Sequence, residues 1–455
     1  MESSVVNLDG HSYGKKDYHP DTTLIVFFIK GHVGSKAGIG RNLLKHNHPT
    51  MLLSSDLLAA LQQNIRLCGY FGGIPYKWNK TSNRLEVQNQ KKLKLYGIRL
   101  YLAFLYQFFV IIQVVSTWKQ VQMSVIIHNV MFVASYIMIG TAGYVFYKHA
   151  DSCAGFFNSM IEYEERHYTG KHISTTDLDG SWVATWMVRL MTSTGLVTPI
   201  LYHLAMLDNP CFPIYLGYWL TEQCQSDQLG IASPQTWSAI ELGAKFVIIL
   251  LSYMNWNLLM TGISFFASVT MVVVGHCFRS YIARYGRDIR AINIEAGNNI
   301  TLKKQTLAFR ELQLMSIAYR EVFSKSLLVV LMMSCTIMQI VCMYNTVIVL
   351  ARSGWKEANF QIGLNLLYFW CTFLAMFVIV VILGMLADVY VVANKVNESI
   401  GGTVALKRSK WFVRFLKSCP VLRIYLFGTN FLDEMTPLTC EDFAIGQTVS
   451  LLLLK

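Results

Sequence analysis

The chain has 455 residues, 53% of them hydrophobic and only 15% charged, with a net charge of +12 and a mean hydropathy of +0.39; soluble domains do not have this composition. The basic residues lie between apolar blocks of about twenty or more residues, the length of membrane spans, which is the pattern of membrane topology and not of a nucleic-acid-binding face. Ten cysteines form no CxxC pair and no HExxH spacing occurs, so no zinc site, redox motif, cofactor or enzyme activity is expected.

Residues 1–92 are mixed and basic, and read as a cytoplasmic region. The apolar run Thr23 to Ile29 is too short for a cleavable signal. Ser54 to Cys68 has the spacing of an amphipathic helix, with Leu57, Leu58, Leu61, Ile65 and Leu67 on its apolar side; such a helix is expected on the membrane surface. The Gly-rich turn Gly69 to Tyr76 breaks it.

Seven spans are expected, making an all-α polytopic membrane protein. The first four fall in 93–276: Leu95 to Trp118, Val125 to Tyr147, Trp182 to Met206, and Ala239 to Gly275. A polar stretch, His149 to Ser181, precedes the third. The fourth exceeds a bilayer's thickness and is expected to continue as a helix beyond it. A basic connector, 277–326, follows, and Leu307, Leu312, Leu314 and Ile317 give it helical spacing. Spans five and six occupy 327–393, a second basic segment 394–429, and the seventh span 430–455.

The seventh span opens with Thr439 and Asp442 at capping-box spacing. From Pro437 to Lys455 there are about enough residues to cross a bilayer at ~1.5 Å each. Gln447, Ser450 and Leu454 share one helical face, while Ile445, Val449 and Leu452 point elsewhere. A polar stripe is costly against lipid. It is expected either to pack on neighbouring helices or to line a pore, with Leu454 at a constriction that gates by dewetting.

Lys and Arg orient the spans. They crowd the amino-terminal region and the connectors after spans four and six, whereas Leu207 to Gln235 has none. The amino-terminus is therefore expected inside and the carboxyl-terminus outside. Cys211 and Cys224 then share one oxidising loop, where a disulfide is plausible chemistry, two free thiols being the alternative. The sequons at Asn79, Asn299 and Asn397 fall on the cytoplasmic side and are expected to stay unglycosylated.

This architecture resembles the arthropod chemoreceptor superfamily, whose branches are the gustatory and odorant receptors. The segment Ile65-Arg66-Leu67-Cys68-Gly69-Tyr70-Phe71-Gly72-Gly73-Ile74-Pro75-Tyr76 is similar to the leader before the first gustatory span, which favours that branch. Phe431 through Phe443 to Lys455 is similar to the last span of both branches. The run Gln447 to Lys455 lacks the Thr-Tyr and terminal Gln-Phe of gustatory receptors, and Leu453 stands where the odorant co-receptor has Gln. The resemblance implies a homo- or heterotetrameric, ligand-gated, non-selective cation channel in the plasma membrane of sensory dendrites. Its partners would be a tastant or odorant, the lipid bilayer and related subunits. The seventh spans would surround the pore, and Cys277 to Ser324 with Asn394 to Thr429 would form a cytoplasmic anchor. Trp411, Phe412, Phe415 and Leu416 would pack between subunits there or rest on lipid.

The resemblance also places a ligand pocket in the outer half of the bundle. The residues there are His128, Phe132 and Tyr136; Thr198, Ile200, Tyr202 and His203; Glu241, Lys245 and Ile249; and Tyr368, Phe369, Trp370 and Phe373. Aromatic walls with a few polar groups suit a small molecule, and each aromatic also suits core packing or an interface anchor. Glu241 and Lys245, four apart, can pair at a polar ligand or at the outer interface. Asn255 and Asn257, flanking Trp256, form another polar cluster. A G-protein-coupled receptor conflicts with the charge distribution, and the paired broken spans of a transporter are missing. A non-signalling partner subunit also fits the atypical last helix.

Overall fold

The computed structural model describes residues 54–117, 119, 123–168, 175–208, 252–253, 255–258, 260–294, 299–357, 362–402, 410–418, 420–427 and 430–454. All lie within the unit Pro49–Lys455. The first element is helix α1, Ser55–Tyr70, where the Ser54 hydroxyl accepts from the Leu57 N–H at 3.2 Å. A two-stranded hairpin follows, β1 (Tyr76–Asn79) and β2 (Arg84–Val87), antiparallel with Tyr76 opposite Val87.

Helices α2 (Gln90–Thr117), α3 (Met123–Lys148), α4 (Ala150–Tyr168) and α5 (Thr175–Asp208) come next. A long helix then runs Asn255–Ala291. Its middle is π-helical over Phe266–Val273, and α6, Val274–Ile294, continues it. The fourth apolar stretch thus extends as a helix, as its length predicts. Helix α7 (Asn299–Tyr319) ends in a π-turn, Arg320–Ser324, before α8 (Leu327–Glu357). Helix α9 (Ile362–Phe377) passes through π-helical Val378–Leu383 into α10 (Gly384–Gly402). The chain closes with α11 (Lys410–Ser418), short strands β3 (Tyr425–Phe427) and β4 (Asn430–Phe431), and α12 (Met435–Leu453).

Five of these helices are long and apolar enough to cross a membrane: Gln90–Thr117, Val125–Lys148, Asn255–Ala291, Leu327–Ile348 and Gly363–Ile400. They match the expected spans one, two, four, five and six. The expected third and seventh coincide with α5 and α12, which have the length but not the apolar density of the five. Helix α2 shows what kind of surface is involved. Tyr96, Leu100, Ala103, Val110 and Val114 face the core, while Ile98, Leu102, Leu105, Phe109 and Ile112 are exposed on the other side. A helix apolar on both sides has its outer face in hydrocarbon.

One expectation changes. Helix α1 is not a surface helix: it packs on α5 and the first π-segment. Leu57, Leu61, Ile65 and Cys68 are fully buried, whereas Leu58 and Leu67 are only partly so. Its seat is polar. The Asn64 side-chain N–H donates to Thr192 Oγ1 at 2.8 Å, and Ser264 Oγ and Ser268 Oγ lie at 3.2 and 3.4 Å. One Asn among apolar residues leaves the sequence pattern looking amphipathic, so the polar seat is visible only once α5 and the π-segment come alongside.

The stretch after Lys148 is largely helical. Cys153, Phe156, Phe157, Met160 and Ile161 of α4 recur at helical spacing and are buried beneath a polar outer face. The hairpin docks on α4 through Asn158, whose side-chain amide bonds both the N–H and the C=O of Leu85 at 2.9 Å, and through a two-pronged Arg84–Glu165 pair at 2.6 and 3.1 Å. In α7 the spacing gives the helix but not its inner face: Leu312 is buried while Leu307, Leu314 and Ile317 are exposed. A small core joins α6, α7, α10 and α11. Tyr285 stacks on Phe309 at 4.8 Å, and Phe412 is fully buried with Ile289, Leu302 and Ile400. Trp411 stays half exposed.

The Gly72-Gly73 turn has no spare room. Gly72 has φ +73°, and a Cβ on Gly73 would lie 2.1 Å from Thr261 Oγ1 and 2.6 Å from the Leu258 carbonyl. Gly73→Ala should therefore lose most folded protein in fluorescence-detected size exclusion. Gly446→Ala, where an added Cβ meets nothing within 4 Å, should be recovered at the level of the unmodified chain. The Arg84 guanidinium holds the Glu165 carboxyl below its usual range. That support is complete above the ordinary carboxylate range and fades as pH falls through the lowered value. Thermal melts across acid pH should show less acid sensitivity in Glu165→Gln.

Candidate functional site

Helices α3, α5, α9 and the stretch leading into Phe266 converge on an aromatic cage. Tyr202 and Trp256 stack at 4.3 Å between ring centres, and Phe132 meets both edge-on at 5.3 and 5.8 Å. Tyr136 closes the far side of Trp256 at 5.5 Å, with Tyr106 behind it. His128 meets Phe132 at 4.8 Å, and its Nδ1 lies 2.6 Å from the Tyr368 hydroxyl. His203 Nδ1 bonds the Pro199 carbonyl, and Trp370 donates its indole N–H to Thr198 Oγ1 at 3.0 Å. The structure thus gathers His128, Phe132, Tyr136, Thr198, His203 and Tyr368, with Tyr202 and Trp256 at the centre.

Other expected pocket residues are elsewhere. Phe369 is 65% exposed and Phe373 43%: Phe369 is one residue on from inward Tyr368, about 100° around the helix, and both face outward. Ile200 also faces outward. Glu241, Lys245 and Ile249, with the Cys211 and Cys224 pair, lie outside the described residues.

Next to the cage is a cavity of about 40 Å³ open to a water-sized sphere. Its wall is dominated by sulfur: Met138, Met191, Met260, Met338 and Cys335. Thr194, Thr198 and Ser264 supply the polar atoms. Thr198, which accepts from Trp370, is also part of this lining. The hydroxyls of Thr194 and Ser264 donate to the Met191 carbonyl, so they offer a guest acceptors, and no lining side chain is charged. The volume holds water but is well below the ~150 Å³ of a cavity that takes benzene. Unbranched methionines repack readily, so a ring-sized guest fits after they move. Methionine at these positions has no periodic signature, and sequence reasoning missed it. Beside the cage, Trp256 Nε1 and both amide atoms of Asn129 meet no hydrogen-bond partner among the described residues. Buried groups of this kind take up water or a guest.

The second candidate element is α12. Thr439 does not cap it; its hydroxyl bonds the Met435 carbonyl within the helix. The reciprocal box lies earlier: the Asp433 carboxylate accepts from the Thr436 N–H at 2.8 Å, and the Asp433 N–H donates to Thr436 Oγ1 at 3.2 Å. The same box chemistry six residues sooner satisfies free N–H groups at the actual helix start. Three faces follow. Pro437, Ala444 and Thr448 are buried, and Leu451 and Leu452 pack on the core. Leu438, Ile445, Val449 and Leu453 form an exposed, mainly apolar face that also carries Asp442. Thr439, Gln447, Ser450 and Leu454 form an exposed, mixed one that also carries Phe443.

The apolar helices and the layered core define a multi-pass helical membrane protein. No protein-family model matches the sequence, and no curated protein matches it. Solved structures do. The insect olfactory receptor OR5 from Machilis hrabei in complex with eugenol matches with TM-score 0.64 at 12% identity, covering 88% of this chain and 99% of that one. A second structure of the same receptor matches with TM-score 0.59 at 10% identity, covering 88% and 100%. The fold is that of an insect olfactory receptor, as the resemblance in the sequence implied.

Tyr368→Phe removes the hydroxyl partner of His128, at a cost of about 1 kcal/mol for a buried hydrogen bond. Its thermal midpoint in detergent should fall measurably. Phe369→Ala, on the outer face, should melt within error of the unmodified chain.

Proposed function

We propose that this chain is a chemosensory receptor subunit acting as a ligand-gated, non-selective cation channel for small molecules, and not an enzyme. The observation that carries the proposal is the three-faced α12. One face packs on its own subunit, while a mixed and a mainly apolar face are left uncovered together at membrane length. Copies arranged around an axis account for both: apolar faces against neighbours, and Gln447, Ser450 and Leu454 toward a central aqueous path. In this reading four subunits assemble in the plasma membrane of a sensory cell. α5 and α12 complete seven spans, the amino-terminus is cytoplasmic, and the carboxyl-terminus is outside. The small core of α6, α7, α10 and α11 belongs to the cytoplasmic anchor.

The cage and its sulfur-lined annexe are the ligand site. An uncharged, mainly apolar molecule with a hydrogen-bonding group suits these walls, and eugenol, named with the similar receptor, has that character. Ligand binding favours the bundle shape compatible with an open pore and shifts the closed–open balance by its differential affinity. The solved neighbours are olfactory, and the Gly69 to Tyr76 leader favours the gustatory branch; expression alone with panels of sugars, bitter compounds and volatiles separates the two. Leu454→Ser should raise resting current without ligand, because a hydroxyl ring wets where a leucine ring does not. An unchanged resting current from a well-expressed mutant refutes the pore assignment. A tag after Lys455 should be reachable from outside intact cells.

A further inference from the structure

Helix α12 meets α8 through two polar contacts: the Thr448 hydroxyl reaches the Ile340 carbonyl at 3.5 Å, and a carboxyl meets an amide. The Gln339 side-chain N–H donates to Glu441 Oε2 at 2.5 Å. Gln339 is 1% exposed. Gln339 Oε1, the amide oxygen, and Glu441 Oε1, the second carboxyl oxygen, are also buried and find no donor among the described residues. Two lone acceptors beside a carboxylate are unfavourable in an apolar bundle, where an unpaired buried polar group costs more than a hydrogen bond returns. A single proton resolves both. A carboxylic acid and a primary amide close a ring of two hydrogen bonds, amide N–H to acid C=O and acid O–H to amide C=O.

We propose that Glu441 binds a proton against Gln339 and that this proton fastens α12 to α8, making the pore helix pH-sensitive. Among the described residues no cation pairs with the carboxyl. Helix α8 brings the Gln339 amide, and the π-helical Val378–Leu383 has no titratable side chain. On α10, Asp388 pairs with Arg279 at 3.4 Å, and Tyr390 lies under Arg423. On α12 itself the adjacent groups are the Cys440 thiol and exposed Asp442. Loss of the proton leaves a carboxylate facing an amide oxygen and loosens the α8–α12 contact. Its consequence for current rests on the channel reading above, whereas the proton itself does not.

The test uses the full-length protein in detergent or vesicles. Infrared spectra near neutral pH should contain a protonated-carboxyl stretch that Glu441→Gln removes. Gln339→Leu, which withdraws the N–H from the acid carbonyl, should move that stretch to higher frequency. Glu441→Gln can keep both hydrogen bonds as an amide pair, so it should fold like the unmodified chain in size exclusion. In patch recordings the ligand midpoint should shift at least threefold between mildly acid and alkaline solution, and Glu441→Gln should abolish the shift. A carboxyl stretch unaffected by Glu441→Gln, or a pH shift that survives it, overturns the proposal. Protein that passes no current but keeps the Glu441 stretch overturns the channel reading alone.

Discussion

Helix α8 is shared between the two functional parts of the molecule, and everything else is arranged around its two sides. On one side it meets α3 through soft contacts, Cys342 Sγ to Met131 Sδ at 3.1 Å and Ser135 Oγ to Met338 Sδ at 3.3 Å. Cys335 and Met338 of the same helix line the cavity. On the other side it carries Gln339 against Glu441 and offers the Ile340 carbonyl to Thr448. A guest that repacks the methionines therefore presses on the same rigid element that α12 leans on. Close-packed interiors transmit such displacement and do not absorb it.

The two ends of this path differ in stiffness. The cage is made of aromatic rings with few rotamers, interlocked edge to face. The cavity beneath it is lined by thioethers, which change shape at little cost. The interlocked rings are thus the stiff part of this region and the thioether-lined cavity the adaptable part.

The sequence shows the spans and their order well, because apolar blocks of membrane length dominate any other signal. It also shows most of the cage, since His128, Phe132, Tyr136 and Tyr368 recur at inward spacings. It fails where orientation rests on one residue step: Phe369 and Phe373 differ from Tyr368 in which side of α9 they occupy, and a run of aromatics hides that difference. It fails again where the signal is composition without period, as with Met138, Met191, Met260 and Met338, and in α4, where polar outer residues conceal an apolar stripe. The capping box of α12 is recognisable in kind but lies six residues earlier, because Asp433 and Thr436 offer the same spacing as Thr439 and Asp442.

The amide of Asn64 reaches partners 128, 200 and 204 residues further along the chain. During synthesis at roughly 5–20 residues per second, α1 leaves the ribosome about 10–40 s before Ser264 exists. For that interval α1 can rest on α5 and β1, which are made sooner, while its amide waits for two of its three hydroxyl partners. The polar seat of α1 is thus completed long after the helix itself.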